Sequence, residues 1–273
     1  MNKKLLGAFV AAIGATSAQA ADLPARPYTK APVAVASVYN WTGFYIGGNI
    51  GYGWGQNTNP SISFVDPPAV NVGFGPYFAA GNNVFPNLKP AGVIGGGQMG
   101  YNWQMNTLVL GAVADFQAAD IQASGTGLVP LSIFVTPSAQ SLSQRLDFLG
   151  TVRGKVGAAF NNVMIYGTGG YAYGHVKSSL NFAAPAAPVF FGGTASEWRS
   201  GWTAGVGGEY GVGAWSFGVE YLHYDLGRSS VTSISIPPAA FPGASLSASQ
   251  RVAGDIVRAT VNYRFGGPVV ARY

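Results

Sequence analysis

Residues 256–265 alternate without a break. Val257, Ala259, Val261, Tyr263 and Phe265 are apolar, and Arg258, Thr260, Asn262 and Arg264 between them are polar. A period of two sends successive side chains to opposite faces, so this stretch is a strand with one apolar face and one polar, partly charged face. A soluble sheet would turn the apolar face inward and leave the arginines in water. A sheet closed on itself in lipid would do the reverse. One strand does not separate the two, and the rest of the chain must decide.

The chain is 48% hydrophobic and only 9% charged, yet no apolar run approaches the roughly 18 residues of a membrane helix. The longest, residues 5–15, follows Lys3 and Lys4 and precedes Ala18-Gln-Ala20. A basic start, a short apolar core and small residues at a cleavage site describe a secretory signal, residues 1–20. Its removal takes two of the 15 basic residues and leaves 13 against 10 acidic ones. No Lys/Arg cluster remains, so nucleic acid is not an expected partner. Without cysteine, disulfides and thiol chemistry are excluded. Residues 21–40 carry Pro24, Pro27 and Pro32, which resist helix and sheet and mark an extended linker expected in the periplasm.

From residue 41 the alternating design recurs in eight segments. Phe44, Ile46, Ile50, Tyr52 and Trp54 share one face of the first, with glycines and Asn49 opposite. The second, 93–104, sets Val93, Met99, Tyr101 and Trp103 against Gln98, Asn102 and Gln104. The third places Leu108, Leu110, Ala112, Ala114 and Phe116 opposite Asp115 and Gln117. In the fourth, Leu146, Phe148, Val152, Val156 and Phe160 alternate with Arg145, Asp147, Thr151, Arg153 and Lys155. The fifth, 163–176, carries Tyr and Gly on both faces and leaves its phase open. The sixth sets Trp198, Trp202, Val206 and Tyr210 against Arg199, Thr203 and Glu209, and the seventh sets Trp215, Phe217, Val219 and Tyr221 against Ser216 and Glu220. The eighth is the opening stretch.

The connections alternate too. Turns at 106–107, 161–162 and 211–214 are short, and the gaps 56–92, 119–143, 178–196 and 227–249 are long. Short turns on one side, long loops on the other and both chain ends on the short side are the plan of an outer-membrane barrel. The expected fold is therefore all-β: an eight-stranded antiparallel transmembrane β-barrel over 41–265, with short periplasmic turns, four long extracellular loops and a C-terminal tail at 266–273. An even strand count lets the first and last strands pair, which removes edges that lipid cannot satisfy.

That orientation sorts the outward aromatics into two belts. Phe44, Tyr101, Trp103, Phe160, Tyr210, Trp215, Tyr263 and Phe265 fall near the periplasmic ends. Tyr52, Trp54, Phe116, Phe148, Trp198, Trp202 and Tyr221 fall near the loop ends. Two aromatic girdles bounding an apolar band belong at the two headgroup layers. The inward phase collects Asp115, Asp147, Glu209 and Glu220 against Arg145, Arg153, Lys155, Arg258 and Arg264. Enclosed charges are costly unless paired or wet, so these nine predict a salt-bridge network across the lumen. Eight strands leave an interior that side chains can fill, so the lumen is a plug or a narrow wet path.

Several motifs together resemble a known group. Asp22-Leu-Pro, Trp41-Thr-Gly-Phe-Tyr-Ile-Gly-Gly48, Tyr166-Gly-Thr-Gly-Gly170, Gly201-Trp-Thr-Ala-Gly-Val-Gly-Gly-Glu-Tyr210, Glu220-Tyr-Leu-His-Tyr-Asp-Leu-Gly227 and 257–265 are similar to the alphaproteobacterial 25/31-kilodalton outer-membrane protein family, porin-like surface antigens among the OmpA-type eight-stranded barrels. The resemblance implies residence in the cell outer membrane with lipid and lipopolysaccharide as surroundings, and a role in envelope integrity. It also implies recognition of the last strand by the barrel-assembly machinery. Phe265 would normally end such a chain, yet Gly266 to Tyr273 follow it, so either Phe265 or Tyr273 serves that recognition. The expected function is a porin-like, mainly structural barrel with room for slow or gated passage of small solutes. The alternative is a surface adhesin or ligand-binding barrel, haem included, acting through its extracellular loops. The resemblance carries no catalytic residues.

Other signals are weaker. Gly95-Gly-Gly-Gln-Met-Gly100 matches a dinucleotide-binding pattern but lies inside a strand with no following helix. His175 and His223 fall near loop ends, with Ser229 and Ser230 nearby, but no third orienting group is evident, and two histidines make no metal or haem site. No enzyme, cofactor or metal is therefore expected. The loops are poor in charge and carry Phe64, Phe74, Tyr77, Phe78, Phe85, Phe134, Phe190, Phe191 and Phe241, suited either to aromatic contact with sugar or protein or to packing over the barrel mouth. Alternation at 132–135 and 231–236 predicts strands continuing above the membrane.

Overall fold

The computed structural model describes residues 39–56, 60–66, 75–76, 88–129, 138–184, 189–236 and 242–265. The signal, the linker up to residue 38, the tail, the alternating run 132–135 and the loop aromatics Phe74, Tyr77, Phe78, Phe85, Phe134 and Phe241 lie outside these residues. The described elements are β1 Gly43–Gly55, β2 Ser61–Val65, β3 Ala91–Met105, β4 Leu108–Val129, β5 Ser138–Phe160, β6 Val163–Ala184, β7 Val189–Val212, β8 Trp215–Ile236 and β9 Ser245–Arg264.

All pairings are antiparallel. β1 bonds to β3 on one side and to β9 on the other, and the remaining neighbours follow chain order, so the ladder closes. The predicted pairing of the last strand with the first is present, with Tyr45 opposite Arg264 and Gly55 opposite Gly254. Among the described residues, however, the strands number nine and not eight. β9 continues beyond the end of β1, and β2 takes up that edge, with Ser61 opposite Ser249 and Val65 opposite Ser245. An uncovered row of amides there would be a pairing hazard. The short turns are as expected: Asn106 and Asn161 adopt φ of 54° and 52°, and Gly213 adopts 61°, left-handed values that Asn and Gly tolerate best.

The strands are longer than the alternation predicts. β4 to β9 run 20 to 24 residues, about twice the roughly 9–11 that cross a bilayer. Most of the gaps 119–143, 178–196 and 227–249 are therefore strand, with 231–236 forming the end of β8 as predicted. The two halves have opposite polarity. In the half nearer the short turns, Val152, Val156, Ile165, Val206 and Val219 are exposed on the wall while Asp115, Arg153, Glu220 and Arg258 are buried inside. In the other half the interior has an apolar cluster: Leu88, Leu142, Leu180, Phe182, Phe191, Val231, Leu246 and Ala248 pack together, with Ile62 and Phe64 of β2 against them, while uncharged polar side chains such as Gln140, Gln144, Ser233 and Gln250 are buried there too.

Bulges help to make the change. Register shifts on β5 between Leu146 and Phe148, and its buried side chains pass from Leu149, Thr151, Arg153 and Lys155 to Leu146, Gln144, Leu142 and Gln140. One extra residue flips every side chain beyond it. This corrects the predicted inward placement of Arg145 and Asp147 and the outward placement of Leu146. On β8 the shift lies between Asp225 and Arg228, with Gly227 at φ 78°, and the buried set passes from Glu220, Leu222 and Tyr224 to Ser229, Val231 and Ser233. The phase of β6 is also resolved: Met164, Tyr166, Thr168, Ala172 and Val176 face inward.

Two outcomes follow, one from the apolar cluster and one from the β8 bulge. Phe191 is buried against Phe64 and Phe182, with ring centroids 5.6 and 5.9 Å away. Phe191→Ala should therefore cost about 3–5 kcal/mol in urea unfolding of the refolded barrel, whereas a loop phenylalanine would cost little. At the β8 bulge, Arg251 donates to Asp225 Oδ2, its Nε at 3.1 Å, and the Gly227 amide donates to Oδ1 at 2.9 Å. The Arg251 bond, opposed by burial and aided by that amide, holds the Asp225 carboxyl below its ordinary value. A depressed carboxyl stabilises the fold above its unfolded pKa, and that contribution disappears as pH falls through the folded value. The stability difference between the native chain and Asp225→Asn should thus be present at neutral pH and vanish in acid, as read from urea midpoints across pH.

Candidate functional site

The lumen of the lower half is built by four charged side chains from four strands. Arg153 on β5 reaches Asp115 Oδ2 on β4 at 2.9 Å and, across the barrel, Glu220 Oε1 on β8 at 2.8 Å. Arg258 on β9 reaches the same Asp115 oxygen at 2.9 Å and donates from Nε to Glu220 Oε2 at 2.8 Å. Two cations and two anions thus close a neutral ring, all buried. Neutral donors and acceptors complete it: Gln117 donates to Asp115 at 2.8 Å, Thr151 accepts from Arg153 at 2.9 Å, and the Tyr166 hydroxyl donates to Glu220 at 3.3 Å.

A second pair lies beside it. Lys155 Nζ is 2.8 Å from Glu209 Oε1 and 4.0 Å from the centre of the Tyr166 ring. Ser216 donates to the other Glu209 oxygen at 2.9 Å. A chain of amides then runs along the wall, from Asn49 to Gln98 at 3.3 Å and from Gln98 to Asn262 at 2.6 Å. Of the nine charges predicted to meet, Asp115, Arg153, Lys155, Glu209, Glu220 and Arg258 do. Arg264 is buried but separate, with its guanidinium over the Tyr39 ring at 4.6 Å and donating to the Thr42 carbonyl at 3.2 Å. Arg145 and Asp147 stand outside: Arg145 pairs with Asp120 at 3.1 Å where both are half exposed, and Asp147 pairs with Lys177 and His175, each at 2.7 Å. Sequence reasoning passed over Tyr166, Thr168 and Ser216 as members: the open phase of 163–176 hid the first two, and the inward phase of Ser216 was the available signal.

Apolar layers bound this polar layer. Tyr39, Trp41, Val109, Ala159 and Met164 pack together with Tyr166. On the other side, Ile94, Ile121, Leu146, Leu149, Val176, Leu222, Tyr224, Leu226 and Ile256 form a second cluster. Outside, the side chains predicted for the two belts are on the wall; all are exposed except Phe148, which is half-buried. Near the short turns, Tyr263 contacts Trp215 and Phe265 at centroid distances of 5.1 and 5.2 Å. Near the other end, Phe148 and Trp198 meet edge to face at 5.6 Å.

Both rim histidines have an acid that the sequence did not reveal. His175 Nδ1 lies 2.7 Å from Asp147 and its Nε2 lies 2.9 Å from Ser196 Oγ. His223 Nδ1 lies 2.8 Å from Asp255, which also accepts from the Tyr221 hydroxyl at 2.7 Å. Ser229, a serine singled out from the sequence, is buried and donates to Glu197 at 2.7 Å instead.

A closed antiparallel ladder with apolar side chains outside and paired charges inside is the inside-out design of an outer-membrane β-barrel. The comparisons agree: residues 7–265 match the outer membrane protein beta-barrel domain, and the chain belongs to that family. It is 34% identical over 235 residues to the 31 kDa outer-membrane immunogenic protein of Brucella melitensis, covering 85% of this chain and 90% of that one. It is 27% identical over 203 residues to the 25 kDa outer-membrane immunogenic protein of Brucella canis, covering 74% and 73%. Among solved structures, the outer membrane protein OprG of Pseudomonas aeruginosa aligns with a TM-score of 0.41 and 11% identity over 83% of this chain and 97% of that one. The protein is thus an outer-membrane β-barrel protein.

The quartet sets an expectation. Glu220→Ala would leave Arg153 and Arg258 facing Asp115 alone. Removing one partner of a buried ion pair costs about 3–5 kcal/mol, so the variant should unfold at clearly lower urea than the native chain. Equal midpoints would mean that the ring adds nothing to the barrel.

Proposed function

We propose that this protein is a structural component of the outer membrane: eight staves spanning the bilayer, β2 continuing the stave of β1, around a lumen closed to bulk solute flow. The supporting observation is the filling of the bore. The neutral ring of Asp115, Arg153, Glu220 and Arg258 ties four strands across the lumen, and apolar clusters lie on either side of it. A water-filled pore needs a continuous polar path, and the cluster around Ile94, Leu149, Val176 and Ile256 interrupts one. The apolar wall between the two aromatic belts supports the bilayer placement. Envelope integrity then follows from a rigid, ion-paired stave ring. Slow or gated passage of small solutes requires the ring to open first.

The second reading places contact with other surfaces on the collar above the outer belt. Its wall mixes polar side chains such as Gln122, Ser124 and Thr194 with exposed Leu128, Phe190 and Ile234, and β4 to β9 carry it well past the outer belt. Two relatives are named for immunogenicity, which suits a surface-displayed collar.

Single-channel recording of the refolded protein in planar bilayers tests the first reading. The native barrel should be silent or open rarely, and Arg153→Ala should show more frequent or larger discrete steps. Large, steady conductance in the native protein would overturn a closed lumen.

A further inference from the structure

Three side chains stand in line on the outer wall. Asp147 on β5 meets His175 on β6 at 2.7 Å, and His175 meets Ser196 on β7 at 2.9 Å, each through a different ring nitrogen. Neighbouring strands hold them in register: Phe148 lies opposite His175, His175 opposite Trp198, and Lys177 opposite Ser196. The bulge between Leu146 and Phe148 is what turns Asp147 toward the histidine. Acid, imidazole and hydroxyl in this order are the arrangement that activates a serine nucleophile.

The surroundings describe a ligand. Ser196 is exposed and, with Gln122, Arg145, Lys177 and Thr194, lines a groove of about 630 Å³. Toward the outer belt lies an aromatic shelf, where Trp198 sits 5.1 Å from His175, 5.6 Å from Phe148 and 6.4 Å from Tyr173. Two cations stand level with the serine on the neighbouring strands: Lys177, opposite Ser196 in the ladder with its Nζ 2.7 Å from Asp147 Oδ2, and Arg145, opposite Lys177 and paired with Asp120. An apolar shelf followed by a nucleophile that stands level with two cations is an order that suits the acyl chain, ester and headgroup of an anionic lipid. The second rim dyad lacks this order, because the hydroxyl beside it, that of Tyr221, is donated to Asp255 and not turned to the imidazole.

We propose that Ser196, His175 and Asp147 form an esterase site on the outer wall that hydrolyses an acyl ester of an anionic lipid. Asp147 accepts the His175 Nδ1 hydrogen and so fixes Nε2 as the acceptor for the Ser196 hydroxyl. Ser196 Oγ attacks the ester carbonyl carbon while its proton passes to Nε2. The oxyanion forms in the groove that Lys177 and Arg145 also line, where their positive charge offsets its own. The ester C–O bond breaks and the departing alkoxide takes the proton from Nε2. Water then attacks the acyl-serine, giving one proton to Nε2. Collapse releases the fatty acid, and that proton returns to Ser196. One water is consumed, one alcohol and one carboxylic acid are formed, and nothing is oxidised or reduced.

The test uses the refolded full barrel in detergent, with folding checked by heat-modifiable gel mobility. A fluorophosphonate probe should label Ser196, located by mass spectrometry, and His175→Asn should slow labelling by roughly 100-fold or more. Asp147 acts through His175 as a positioning residue, so Asp147→Asn should slow labelling and Asp147→Glu should restore part of the rate. In mixed micelles, fatty acid should be released from phosphatidylglycerol faster than from phosphatidylcholine. Ser196→Ala should abolish release, and the double variant Arg145→Ala, Lys177→Ala should lose the preference. A folded barrel without a Ser196 adduct, or one whose labelling ignores His175→Asn, overturns the site. Labelling without fatty acid release from either lipid overturns the substrate.

Discussion

Everything in this molecule depends on the closure of the ladder between β1 and β9. A hydrocarbon environment cannot hydrogen-bond a strand edge, so a sheet there must be a ring. Closure removes the edge and also fixes the bore. A narrow bore cannot leave its inward side chains to chance: each is packed, paired or wet. The ring of Asp115, Arg153, Glu220 and Arg258 is the answer in the lower half, where every charge meets two of the opposite sign. Desolvating such ions costs several kcal/mol each, repaid only by good geometry and supplementary hydrogen bonds. Gln117, Thr151 and Tyr166 supply those bonds. The ring is therefore better understood as a device that fixes which strands face each other than as a source of net stability.

Above the outer belt the barrel inverts, and the proposed bilayer placement gives the reason. Lipid outside demands an apolar wall and leaves the polar residues for the lumen; water outside permits the usual arrangement, with Leu142, Leu180 and Phe191 inside. A strand that kept one phase across this boundary would have to change its alternation at the right residue. β6 and β9 do so, keeping even-numbered residues buried throughout, while β5 and β8 use a bulge. Bulges at such a boundary also re-aim side chains, which is how Asp147 and Asp225 come to sit where they can meet His175 and Arg251.

Legibility in the sequence follows the same boundary. The lower half was readable because strong alternation and a single solvent acted together: Arg153, Glu220 and Arg258 were assigned to the lumen and are there. Arg145 and Asp147 were assigned by extending that phase through a bulge that no residue type announces. Apart from 231–236, the strands above the boundary read as loops because their alternation is faint. Residues 138–144, Ser-Ala-Gln-Ser-Leu-Ser-Gln, carry Leu142 as their one large apolar side chain, yet all seven lie in β5. β2 escaped notice because five residues, Ser61–Val65, are too few to show a period and need only the open edge of β9 to form. Ser196 was missed for a related reason. The sequence pointed to Ser229 and Ser230 by their nearness to His223, whereas the cross-strand register delivers Ser196, 21 positions away in the chain, to His175.

The filling of the bore by paired side chains also bears on where chemistry can occur. In the lumen, Asp115, Arg153, Lys155, Glu209, Glu220 and Arg258 are each committed to a partner and removed from solvent. The outer wall at the belt is different. There the ladder satisfies the backbone, side chains point outward from a rigid sheet, and neighbouring strands hold functional groups at fixed spacing without paying for loop order. Asp147, His175 and Ser196 use three adjacent staves in this way, with rigid positioning supplied by the hydrogen bonds between strands and not by a shell of supporting side chains. In a barrel with a filled interior, the boundary where lipid gives way to water is the one place where apolar, charged and nucleophilic groups can share a face, and the bulge on β5 is what brings an acid to it.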